Sequence, residues 1–106
     1  MYSFCARTDC ADGATPQGGL LADGRVDFYG TTADGGGNAC GDCGTIFKLA
    51  SDGTETVLYA FKGGTDGMGP GQSLVSRNGY LFGTTGVGGV TGCYGDGCGT
   101  VFELKK

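Results

Sequence analysis

One unit occurs twice in this chain, and that repetition limits the possible folds more than any other feature. Phe28-Tyr-Gly-Thr-Thr32 leads into a glycine-rich loop with a cysteine pair, then into Gly44-Thr-Ile-Phe-Lys-Leu49. Leu81-Phe-Gly-Thr-Thr85 leads into a second such loop and pair, then into Gly99-Thr-Val-Phe-Glu-Leu104. Around these anchors Asp12-Gly corresponds to Asp66-Gly, Leu20 to Leu74, Tyr29 to Phe82 and Phe47 to Phe102. Tyr2-Ser-Phe4 likewise corresponds to Tyr59-Ala-Phe61. The period of about 55 residues fits one supersecondary unit per copy, too small to bury its apolar face alone.

Each copy reads as short strands between glycine clusters, the pattern of an all-β protein. With 25 Gly among 106 residues, turns and close backbone approaches are frequent, and no window has helical periodicity. The first copy predicts strands over 18–21, 26–32, 45–49 and 55–61; the second predicts them over 72–75, 80–85 and 100–105. Asp23-Gly, Asp52-Gly and Asn78-Gly are hairpin signals, because such turns need positive φ. The strand at 55–61 is apolar on both faces, with Val57, Tyr59 and Phe61 on one and Leu58 and Ala60 on the other. Strands of that kind belong in stacked sheets.

A four-stranded unit repeated at this spacing is the pattern of a β-propeller blade. The expected architecture is one module over 1–106 with two blades, one spanning about 18–61 and the other about 72–106. A single β-sandwich is the runner-up, but a sandwich does not require repetition. The second copy shows no fourth strand, whereas residues 2–4 align with the fourth strand of the first copy. They are therefore expected to serve as the outer strand of a neighbouring blade. Rings contain roughly 4 to 8 blades, so closure is expected through a homo-oligomer, a trimer before a dimer or tetramer.

These motifs, together with Gly35-Gly-Gly37, Leu58-Tyr-Ala-Phe61 and Pro70, resemble the GloVer tandem repeat of bacterial secreted or surface-anchored proteins. The resemblance covers essentially the whole chain and implies a propeller-like array at the cell surface or outside it. It implies no activity. Relatives usually carry many copies, and this chain carries two.

The six cysteines fall into local pairs, Cys5/Cys10, Cys40/Cys43 and Cys93/Cys98. Six in so short a chain suggest an oxidising compartment and local disulfides. Free thiols are one alternative. Another is a four-thiolate zinc site from Cys40, Cys43, Cys93 and Cys98, but it needs two loops to converge with unequal spacings. No metal or cofactor is expected.

No histidine exists, so triads built on histidine are absent. The weak catalytic candidates are Asp27 and Glu103, which break the repeat, and the equivalent pair Asp12 and Asp66. The plainer reading of Asp12 and Asp66 is a turn closed by its own side chain. Asp12, Asp66 and Tyr94, the last in a glycine-rich loop, are the candidate ligand contacts. The net charge of −4, with 7 Lys plus Arg against 11 Asp plus Glu, argues against nucleic acid. No apolar run approaches the roughly 20 residues of a membrane span. Nor does the start carry the charged and apolar regions of a signal peptide. The expected function is a non-catalytic, lectin-like module for glycans or another surface ligand. Two alternatives stand beside it: a small carbohydrate-active hydrolase using carboxylates at a pocket between blades or subunits, and a purely structural surface repeat.

Overall fold

The computed structural model describes residues 2–23, 27–37, 43–63, 67–70, 74–87 and 99–106. The apolar runs form two antiparallel sheets. The first is a meander of β1 (Ala14–Asp23), β2 (Asp27–Asp34), β3 (Thr45–Ala50) and β4 (Glu55–Ala60), in that spatial order. In the second, β7 (Tyr80–Val87) is central, with β5 (Met68–Pro70) and β6 (Val75–Arg77) along one side and β8 (Thr100–Lys105) along the other. The fold is all-β. It comprises two sheets, which do not by themselves close a ring.

The two copies share their register. Pro16 stands opposite Thr32 and Leu21 opposite Tyr29; Pro70 stands opposite Thr85 and Val75 opposite Phe82. β5 and β6 together therefore take the place of β1. The first strand of each copy begins four residues earlier than the apolar pattern predicts, at Ala14 and at Met68. A proline lies in each extension, and an edge strand tolerates it because its missing N–H need not join a ladder. The Asn78-Gly79 turn has positive φ at both residues, 52° and 83°, as a tight hairpin requires. At the β3–β4 turn the Asp52 carboxylate accepts the Thr54 amide at 2.9 Å.

The repeated residues have identifiable jobs. A Cβ on Gly30 would come within 2.6 Å of the Phe47 ring, and one on Gly83 would strike the ring of Phe102. Each glycine thus makes room for the aromatic ring on the neighbouring strand. One layer away, the hydroxyls of Thr32 and Thr45 lie 2.8 Å apart, and those of Thr85 and Thr100 lie 2.6 Å apart. Thr32 donates to the Asp34 carbonyl, so Thr45 is the donor within its pair. Gly13 and Gly67, with φ of 97° and 86°, close over these two hydroxyl pairs, where a Cβ would approach them within 2.8 Å.

The core lies between the sheets. Tyr29 and Ile46 of the first sheet meet Leu81 of the second and Leu74 just before β6, with Cys43 and Phe61 in the same cluster. Phe61, just past β4, stacks edge-on against Phe102 with ring centroids 5.2 Å apart. Phe4 makes the matching contact with Phe47 at 4.9 Å. Residues 2–4 belong to neither sheet within the chain; they lie against the first one.

Candidate functional site

Among the described residues, two places combine chemistry with shape. The first is where the N-terminal segment docks. Cys5 and Cys10 form a disulfide that closes a loop containing a short 3₁₀ turn, Thr8–Cys10. Asp12 follows, with no exposed surface. Its carboxylate accepts the Tyr2 hydroxyl at 2.6 Å and the amides of Ala6 and Arg7 at 3.0 and 3.1 Å. Burial by itself would raise the Asp12 pKa, but these three donors outweigh it and hold the pKa below the usual aspartate value. The same hydrogen bond, with burial, pushes the Tyr2 hydroxyl up to about 12. The plain turn reading of Asp12 is thereby modified: the side chain reaches back to fasten the segment before it.

Glu55 opens β4 beside this clasp and was not singled out by the sequence. It is 3% exposed, and neither carboxylate oxygen has a partner among the described residues. Burial pushes its pKa up to about 7, opposed by the charge of Arg7 and assisted by that of Asp12. The Arg7 guanidinium reaches the Glu55 backbone carbonyl at 3.5 Å rather than its carboxylate. Its counterparts in the repeat would fall outside the chain, so the internal alignment gave no signal for it.

The second place is a cleft of about 180 Å³ between the sheets. Ile46, Tyr59 and Phe61 form one wall, and Phe102, Glu103 and Leu104 of β8 form the other. β8 alternates, with Phe102 and Leu104 half-buried and Val101, Glu103 and Lys105 exposed. The walls are therefore aromatic and aliphatic, with one acid at the rim.

Of the acids singled out from sequence, Asp27 lies in the first sheet, 3.9 Å from the Lys48 ammonium, and Glu103 lies in the second. Neither stands beside Asp12; the acid next to Asp12 is Glu55. Asp66, Tyr94, Cys40, Cys93 and Cys98 lie outside the described residues. Cys43 is fully buried and disulfide-bonded. Among the described residues no group of three or more metal-ligating side chains comes together, and no helix is long and apolar enough to cross a membrane. Comparison of the chain with protein-family models, with curated proteins and with solved structures gives no match.

Proposed function

We propose that the chain is a non-catalytic, extracellular binding module whose two sheets are blades of a propeller of GloVer type, and that the inter-sheet cleft holds part of a glycan. The composition of that cleft carries the reading. Tyr59 and Phe102, both half-buried, bring aromatic surface to one opening, with Phe61 buried behind them and the Glu103 position at its edge. Aromatic faces beside a few polar groups suit the apolar face of a sugar ring. At about 180 Å³ the cleft is smaller than the roughly 300–1,000 Å³ of enclosed small-molecule sites. It fits one sugar unit held shallowly, as in a weak, repeated recognition surface. The Cys5–Cys10 disulfide is compatible with a secreted or surface location.

A hydrolase built instead on Asp12 and Glu55, a pairing the sequence did not suggest, is the second reading, because their pKa values are displaced in opposite directions as in an acid–base pair. Against it, both carboxyls are closed off from solvent, at 0% and 3% exposure, and neither lines the cleft. A glycan-array screen beside a broad hydrolase panel tests the proposal. Retention of a glycan class without product release is expected, with NMR shift changes confined to Ile46, Tyr59, Phe61 and Phe102. Product release, or binding that leaves those signals unmoved, would overturn it.

A further inference from the structure

Among the described residues two apolar sheet faces stand open, and the interior of the chain shows what fits them. Within the chain, the face of the first sheet bearing Leu21, Tyr29 and Ile46 packs on the face of the second bearing Leu74, Leu81 and Phe102. The repeat defines the counterpart of each partner. Leu74 is 4% exposed and Leu81 is fully buried, but their counterparts on the first sheet, Leu20 and Phe28, are 57% and 38% exposed. Ile46 is 1% exposed, but its counterpart on the second sheet, Val101, is 80% exposed. Val75, the counterpart of Leu21, is 62% exposed. Each open face is thus an equivalent of one half of an interface already present.

We infer that copies of this chain associate head to tail, the Val75/Val101 face of one covering the Leu20/Phe28 face of the next. This contact repeats the geometry of the intramolecular one and does not depend on the glycan reading. Strand pairing supports the same arrangement. Ala60 stands opposite Thr45 and Tyr59 opposite Ile46, and the Phe61 amide donates to the Gly44 carbonyl at 2.9 Å. Phe61 then stacks on Phe102 of the following sheet, so this short segment serves two sheets at once. Tyr2–Phe4 performs only the second task within the chain, stacking Phe4 on Phe47. The outer edge of β8 is unpaired among the described residues. In the assembly Ser3 of one copy stands opposite Thr100 of its neighbour, Tyr2 opposite Val101, and the Phe4 amide donates to the Gly99 carbonyl. Unpaired strand edges recruit strands in this way. The pairing uses only the first residues of β8 and leaves the cleft beside Phe102 and Leu104 open. Because the two faces differ, the contact is heterologous, and it closes into a ring when the rotation per copy divides a full turn and otherwise runs on as a filament.

The test uses sedimentation equilibrium on three proteins. The wild-type chain, 10.6 kDa alone, is expected at two to four times that mass, three being the favoured closure. Leu20→Lys and Val101→Lys alter exposed positions, so each monomer should keep its melting temperature. Each should self-associate more weakly by roughly tenfold or more, because burying an unpaired ammonium opposes docking. Mixed in equal amounts they should form a dimer and nothing larger, since each retains the face that the other has lost. A wild-type chain that stays at 10.6 kDa at millimolar concentration would overturn the inference. So would variants that assemble like wild type, or a mixture that stays monomeric.

Discussion

Glu55 is the residue whose behaviour follows most directly from its surroundings. Its folded pKa, about 7 against an ordinary 4.5, is raised, so the folded state holds a proton that the unfolded chain gives up. Stability from this group is complete below about pH 4.5 and is lost as pH rises to about 7. The displacement corresponds to about 3 kcal/mol. Asp12 has the opposite sign: its pKa is lowered, so its contribution is present above the ordinary aspartate value and is lost as pH falls. Glu55→Gln should therefore abolish the fall in melting temperature between pH 4.5 and 7 and leave a more stable protein at pH 8. If Glu55→Gln is instead less stable at pH 8, the carboxylate is charged and paired, and the account of this residue is wrong. Glycine gives a second prediction at this scale. Gly83→Ala places a methyl group against the Phe102 ring and 3.0 Å from Leu74. Overpacking of this kind costs about 1–3 kcal/mol, and urea denaturation should register it. Gly53→Ala meets no neighbouring atom within 4 Å. It has φ of 92°, so any loss there reports backbone conformation alone.

At the level of elements, the loop closed by Cys5 and Cys10 is short, so its disulfide is expected to contribute about 2 kcal/mol by restricting the unfolded chain. Mass analysis after alkylation without reductant, on protein made under oxidising conditions, should find Cys5, Cys10 and Cys43 unmodified. Alkylation of Cys5 and Cys10 would contradict the fold around the N-terminal segment, and alkylation of Cys43 the packing before β3. Elements with both a pattern and a turn signal were legible in the sequence. β8 occupies the residues predicted from its match to β3 in the repeat, and β4, set by the Asp52-Gly53 turn before it, differs only at its last. β1 and β5 began earlier than predicted, because Pro16 and Pro70 conceal strand character that only an edge position permits. The Thr32–Thr45 and Thr85–Thr100 pairs were visible as repeated letters, but their hydroxyl contacts needed the register. Glu55 was not legible at all: its raised pKa comes from burial, with smaller opposing effects from the charges of Arg7 and Asp12, and all of these depend on residues distant in sequence.

For the whole molecule, the claim on which the rest depends is that the two copies pack as one body through their unlike faces. The cleft exists only if β3 and β4 stand against β8, and the proposed assembly reuses the same contact. Phe61 carries it, since it ends the first sheet and stacks on Phe102 of the second. Lys106 strengthens it from the other side, with its ammonium 5.7 Å from the centre of the Tyr29 ring. The most direct measurement is a ¹³C-edited nuclear Overhauser spectrum of the Leu20→Lys chain, combined with ¹⁵N relaxation. The account predicts cross-peaks between the Phe61 and Phe102 rings and between Ile46 and Leu104, with a single correlation time for both sheets. Absence of those cross-peaks, with two sheets tumbling at different rates, would contradict it.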